Sequence, residues 1–290
     1  MKPLFAAVLI CVLSACAHDA PTAVGSEPTK AERKLAKSIT HDVNKLLKGD
    51  WRSERNAARD RYRHPAQTLA FFGIEPTMTV IEIWPSAGWY SEILAPYLRE
   101  DGHYIAAVND PAKATDDKAR DSASKQNQAL REKFAAQPKV YGRPTVLEFT
   151  SSAPELGAPG SADAVVTFRN VHNWVMAGTE AQMFEAFFEV LKPGGVLGVV
   201  DHRAAEDATL EQVKNSGYLP EQYVIALALK AGFRLDARSD INANPADLKN
   251  YPDGVWTLPP TLRKGDVDRD KYLAIGESDR MTLRFVKPAE

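Results

Sequence analysis

Apolar positions along this chain recur at two spacings that take turns: short runs that suit strands, and spacings of three and four that suit helices. Met78 to Ile83, His103 to Asn109, Thr145 to Phe149, Asp163 to Phe168, Val196 to Val200, Phe233 to Ser239 and Arg280 to Val286 read as seven strands. Helical spacing falls between them, at Gly88 to Leu98, Asp116 to Ala136, Thr179 to Leu191 and Leu219 to Ala231. Pro96 is expected to kink or end the first of these. Three more helices precede the first strand, at Lys30 to Lys48, Trp51 to Tyr62 and Pro65 to Phe72, and are placed over one end of the sheet. Strands that alternate with helices predict an α/β fold, a doubly wound, mostly parallel sheet of seven strands with an N-terminal helical extension. Residues 240–279, rich in Pro, Gly and Asp, read as a long excursion of the kind that carries function or stays disordered.

The first strand ends in a carboxylate, Glu82, and runs into a turn holding Pro85, Ser86 and Gly88. A strand, turn, helix and second strand with polar groups at the strand ends is how open α/β sheets build a nucleotide site. The post-strand loops therefore hold the candidate chemistry. After the fourth strand come Arg169, Asn170, His172 and Trp174, and the fifth ends at Asp201, His202 and Arg203. His172 is the preferred general base, with Asp201 and His202 as catalytic partners, because an unperturbed imidazole titrates near neutrality. A His that only hydrogen-bonds the following helix is the plainer alternative. Two His and one carboxylate also suit several metal ions, but their spacing in sequence gives no geometry, so no metal is assigned. Trp89 and Tyr90 read as pocket wall or as packing, and Arg61 to His64 as a solvated charged face or as a closure over a ligand carboxylate.

Composition adds limits. The 290 residues are 44% hydrophobic and 26% charged with net charge −2, which suits a globular domain with extensions and gives no basic footprint for nucleic acid. The first 15 residues carry Lys2 and then an apolar run too short to span a bilayer, ending in small residues, as a secretory signal does. Leu13 to Cys16 resembles the bacterial lipoprotein box, with an ordinary signal cut near Ala17 as the alternative. In the first case Cys16 is lipidated and anchors the protein to a membrane. Residues 16–29 form a tether, and Ala17 resembles the sorting position of outer-membrane lipoproteins, facing the periplasm. Removal of Cys11 with the signal leaves no Cys inside the fold, and so no disulfide framework or thiolate metal site.

From Thr79 to Lys287 the pattern resembles the class I S-adenosylmethionine-dependent methyltransferases. Glu82 matches the acid of that superfamily's first motif and Gly88 its last glycine. Asn109 or Asp110 matches the ribose-binding acid, and Leu191 to Leu197 the turn into the fifth strand. Glu82 to Tyr90, Arg63 to Pro65 and Asp201 to Arg203 more narrowly resemble a group of exported bacterial predicted methyltransferases. The resemblance implies S-adenosylmethionine as cofactor, bound by Glu82, Trp84, Ser86, Gly88, Asn109, Asp110, Ser152, Arg169 and Asn170, with a small-molecule or envelope substrate. Trp84 and Ser86 stand where the motif has glycines, so the turn is expected either to take another path or to point Trp84 away from the pocket. Ser152 stands near the missing adenine-contacting acid. The alternative function is a non-catalytic binding or scaffolding lipoprotein on the same fold, since the cofactor is made in the cytoplasm. A dehydrogenase is disfavoured by the absence of G-x-G-x-x-G.

Overall fold

The computed structural model describes residues 29–289. The signal, the lipid site at Cys16 and most of the tether lie outside the described residues. The chain runs α1 (Lys30–Leu46), α2 (Glu54–Ala57), α3 (Asp60–Arg63), α4 (Pro65–Phe72), β1 (Thr79–Ile83), α5 (Ser91–Leu98), β2 (His103–Asn109), α6 (Asp117–Ala136), α7 (Pro138–Tyr141), β3 (Thr145–Phe149), β4 (Ala162–Phe168), α8 (Val171–Ala177), α9 (Glu180–Val190), β5 (Leu191–His202), α10 (Leu210–Val213), α11 (Glu221–Lys230), β6 (Arg234–Ser239), α12 (Arg269–Ile275) and β7 (Arg280–Val286). The sheet order is β3-β2-β1-β4-β5-β7-β6. Strands β1 to β5 pair in parallel, and β7 is antiparallel to both β5 and β6. The doubly wound seven-stranded sheet is therefore as the spacing predicts.

Strand residues alternate between two cores, as a sheet covered on both faces requires. Val80, Ala106, Val108, Ala164 and Val166 face α1, α4, α5 and α6. Ile81, Ile83, Ala107, Val165, Leu197, Val199, Leu283 and Phe285 face α8, α9 and α11.

Three local readings are corrected. The stretch from Trp51 to Tyr62 is two four-residue helices, the first capped by Ser53 Oγ accepting from Asn56 N. Pieces that short carry no periodicity to read. The helix placed at Gly88 begins only at Ser91, because the residues before it are spent on the turn, and it continues through Pro96 to Leu98. Pro96 cannot donate to the Glu92 carbonyl four residues back. The Trp51 indole N–H donates to that carbonyl instead, at 2.9 Å, so the acceptor is paired and the N-terminal segment is tied to α5. Of the N-terminal helices, α1 and α4 lie on a face rather than over an end, with α4 reaching β5 and β7, while α2 and α3 stand at the carboxyl end of the sheet as expected.

Gly198 on β5 permits that last contact. A Cβ there would stand 2.6 Å from the Phe72 ring. Gly198→Ala is expected to destabilise the fold by about 2 kcal/mol, read as a lower urea midpoint at unchanged m-value. An unchanged midpoint would mean that α4 is free to move off the sheet.

Candidate active site

Strand order reverses between β1 and β4, so their carboxyl ends diverge and leave a crevice, the place where open α/β sheets bind ligands. The backbone holds both strands to their ends. Trp84 N donates to Ala107 O at 2.8 Å and Arg169 N to Val200 O at 2.7 Å, each one residue past its strand. Both residues then turn left-handed, Trp84 at φ 48 and Arg169 at φ 64, followed in the first loop by Ser86 at φ 53 and Gly88 at φ 76. For residues with a Cβ this costs of order 1–2 kcal/mol each, and such strain collects where function holds it in place. Trp84 and Ser86 thus keep the left-handed conformation that glycine favours, so their side chains do not exclude it. Trp84 does not point away. It lines the crevice, its ring 5.6 Å from Trp174 and 6.2 Å from Phe149, and its buried indole N–H has no partner among the described residues.

The crevice has a volume of about 710 Å³. Its walls come from the turn after β1, the loop after β4, the α2–α3 segment and the excursion, which contributes Trp256 and Pro259. Trp89 and Tyr90 serve as wall and packing together. Trp89 Nε1 donates to Asn56 O at 2.9 Å, and Tyr90 stacks on Phe168 with ring centroids 3.6 Å apart.

Glu82 lies at the floor, buried among apolar strand residues. Burial pushes its carboxyl up to about 7, against the pull of hydrogen bonds from Tyr104 and Ser91 and the charges of Arg63 and Lys133. Tyr104 Oη donates at 2.5 Å and Ser91 Oγ at 3.2 Å, both to Oε2. Among the described residues no backbone N–H of the turn engages it. Among the described residues Oε1 has no hydrogen-bond partner. A half-ionised carboxylate with one free oxygen is a ready acceptor for an ammonium group.

At the other end of the crevice, Asp201 is fully buried and collects three donors. These are His172 Nδ1–H at 2.9 Å to Oδ1, His202 N at 2.7 Å to the same oxygen, and His172 N at 3.3 Å to Oδ2. Because the carboxylate accepts, a His172 proton sits on Nδ1, and in the neutral ring Nε2 then carries the lone pair, which is the tautomer a general base needs. His202 Nδ1 is paired with Ser278 Oγ at 2.5 Å. Burial, then the charges of His172, Arg169, Arg280 and Arg63, hold His202 well below the usual imidazole range, so it stays neutral at neutral pH. Ligand atoms of His172, Asp201 and His202 lie within 4.8 Å of one another, close enough to hold an ion. The same three arginines make the surroundings positive, which favours a proton-handling pair over a divalent cation.

Glu277 is the counter-charge to those arginines. Arg59 Nε lies 2.6 Å, Arg63 Nε 3.1 Å and Arg280 Nη1 3.2 Å from its oxygens. Burial pushes the Glu277 carboxyl up, but Arg280, Arg63, Arg169 and Arg59 together pull it down to about 2. A folded value below the usual 4.5 contributes stability above pH 4.5 that is lost as pH falls toward 2. The wild type is expected to exceed Glu277→Gln by about 3 kcal/mol at pH 6, with the gap closing between pH 4.5 and 2. A pH-independent gap in urea titrations would contradict the pairing.

Of the residues marked in the sequence, Glu82, Trp84, Ser86, Arg169, Asn170, His172 and His202 line the crevice, and Asp201 lies just behind it. Gly88 shapes the turn. Asn170 Nδ2 donates to Ile83 O at 2.8 Å and so staples the two loops together. Asn109 borders an adjoining recess of about 140 Å³ with Ser86, Asn127 and Asn173. Asp110 instead caps a turn, accepting from Ala112 N at 2.8 Å, and Ser152 is exposed beside Thr150, so neither reaches the crevice. Arg203 turns outward to Asp279 and Asp240, and anchors the excursion. Arg63 is 3% exposed, so it belongs to no solvated face. Sequence reading missed Arg59, Glu277, Arg280 and Trp256. The only signal for Glu277 was a carboxylate next to a buried strand start.

No protein-family model and no curated protein matches the chain. Solved structures share its fold. A S-adenosylmethionine-dependent methyltransferase from Aquifex aeolicus is similar over 86% of this chain and 98% of its own, with TM-score 0.50 and 15% identity. A protein from Galdieria sulphuraria assigned as a sarcosine dimethylglycine methyltransferase is similar over 81% and 88%, with TM-score 0.54 and 14% identity. The cyclase SpnF is similar over 90% and 95%, with TM-score 0.53 and 13% identity. The fold is that of the class I methyltransferases, and the cyclase shows that different chemistry uses it.

Proposed function

We propose that this protein is a S-adenosylmethionine-dependent methyltransferase acting on a small-molecule or envelope acceptor. The observation that carries this reading is Glu82, a buried carboxylate with a free oxygen, set under a left-handed turn at the β1/β4 switch point. The crevice volume is in the range that encloses a nucleoside-sized ligand. Glu82 Oε1 would take the cofactor's ammonium, Ser86 and the Gly88 turn its amino-acid end, and Asn109 with Asn127 a ribose in the adjoining recess. When bound, the cofactor supplies a methyl group already activated on a sulfonium. The chain's residues align the acceptor, exclude water through the Trp84, Trp89 and Trp256 walls, and accept a proton at His172 Nε2 where the nucleophile carries one. Asp201 fixes the ring that does so. The envelope address and lipid anchor at Cys16 are part of the proposal and rest on Leu13 to Cys16 alone.

A non-catalytic binding protein on this fold is the second reading, favoured by the bulk of Trp84 at a glycine position. Incubation with methyl-tritiated S-adenosylmethionine and an envelope extract separates the two. An enzyme transfers label to an extractable acceptor, and the His172→Ala, Asp201→Ala double variant does not. Binding without transfer supports the second reading.

A further inference from the structure

Four guanidinium groups, of Arg59, Arg63, Arg169 and Arg280, gather around the single carboxylate of Glu277. The nearest other carboxylate acting on Arg169 is Asp201, which His172 and the His202 amide already occupy. Arg59 Nη2 and Arg63 Nη2 are shielded from water and have no hydrogen-bond partner among the described residues, and Arg63 as a whole is 3% exposed. Arg169 has no ion-pair partner among the described residues, and a left-handed backbone holds it in place. Arg59, Arg63 and Arg169 all line the crevice, with Arg63 resting on the Trp89 ring at 4.5 Å. Buried donors left unpaired are costly, and guanidinium forks match carboxylate and phosphate oxygens. The methyl donor deepens the imbalance, since its ammonium and sulfonium outnumber its carboxylate.

We infer that the methyl acceptor is an anionic small molecule whose carboxylate or phosphate group docks on Arg59, Arg63 and Arg169, with its reacting atom toward His172. This rests on the methyltransferase reading. The donor's own carboxylate neutralises only one of the excess positive charges. A second anion lowers the remaining excess, and Arg169 stands three residues before His172, which lies in the first turn of α8. Burial pulls the Arg169 guanidinium down to about 10, with Glu277 and Asp201 opposing the shift and Arg280 and Arg59 adding to it.

Tryptophan fluorescence of the full-length protein tests the inference, because Trp84, Trp89 and Trp256 line the crevice. The probes are benzoate, its neutral isostere benzamide, and inorganic phosphate, each titrated with and without saturating S-adenosylhomocysteine. Benzoate or phosphate is expected to bind the S-adenosylhomocysteine complex, with benzoate at least about tenfold tighter than benzamide. The proposal moves Arg169 from the cofactor, where the resemblance had put it, to the acceptor, so Arg169→Gln is expected to weaken that anion by roughly 10- to 100-fold while S-adenosylhomocysteine binding stays within about threefold. Competition between benzoate and S-adenosylhomocysteine, with Arg169→Gln weakening both alike, would overturn the inference and give the arginines to the donor's own carboxylate. Absence of any anion binding up to about 10 mM, with S-adenosylhomocysteine still bound, would also overturn it and leave the methyltransferase reading standing. Anion binding without any S-adenosylhomocysteine binding would instead sink that reading, and the acceptor role with it.

Discussion

Asp201→Ala is expected to cost about 3–4 kcal/mol of unfolding free energy and, in the transfer assay, roughly 10²–10⁴-fold of turnover. The two losses have different origins. Asp201 is wholly buried, so its removal strands two backbone amides and an imidazole N–H that no water reaches. The catalytic loss comes through His172. Without the acceptor on Nδ1, nothing selects the tautomer that leaves Nε2 as a lone pair. Asp201→Asn separates the two effects. It keeps an oxygen for the amides and recovers part of the stability, but its carboxamide no longer favours an imidazolium during proton transfer. Chemical denaturation of both variants beside nitrogen-detected NMR of the His172 ring distinguishes them. An Asp201→Ala protein with wild-type stability and an unchanged His172 tautomer would contradict this account of the pair.

Glu82→Gln is expected to be more stable than the wild type at pH 8, by up to about 3 kcal/mol, while losing cofactor affinity. The direction follows from the raised carboxyl. A folded value of about 7 against the usual 4.5 means that the protonated form is favoured in the fold. That stabilisation is complete below pH 4.5 and is lost as pH rises through 7. Gln imitates the protonated form at every pH and accepts the same hydroxyls from Tyr104 and Ser91. Wild-type stability should therefore fall between pH 5 and 8 relative to the variant, and the curves should meet near pH 4.5. A carboxylate retained at such a cost is a mark of function, and loss of binding in a more stable protein is the signature to look for. A variant that is destabilised at pH 8 would mean that the ionised carboxylate serves the fold alone.

The fold was legible in the sequence because it depends on patterns summed over many residues. Six of the seven strands lie close to where the apolar runs place them, β5 starts five residues early at Leu191 because the Lys-Pro-Gly-Gly stretch read as a turn is already extended, and the last strand is antiparallel. The elements that were missed or misread are short ones. Helix α8, from Val171 to Ala177, was hidden because its seven residues mix buried Trp174 with polar positions the loop needs. Pro96 was misread because its tolerance depends on Trp51, more than forty residues earlier in the chain.

The site was legible where the chain reverses at strand ends, which Glu82, Asn170, His172 and Asp201 mark locally. Its electrostatics were not, since Arg59 and Arg63 meet Glu277 and Arg280 only across more than two hundred residues. Trp84 shows a further limit. Glycine's usual monopoly on left-handed turns made the residue look incompatible with the motif, yet the strands on either side impose the conformation on it.

The central claim, that this crevice receives S-adenosylmethionine at Glu82, is tested most directly by calorimetric titration of the protein with S-adenosylhomocysteine at pH 7 in two buffers of different ionisation enthalpy. The account predicts micromolar affinity, about −8 kcal/mol, and release of roughly half a proton as the ligand's ammonium displaces the proton shared on Glu82. Glu82→Ala should abolish both. No heat in either buffer, or micromolar binding with no proton release and no sensitivity to Glu82, would contradict it.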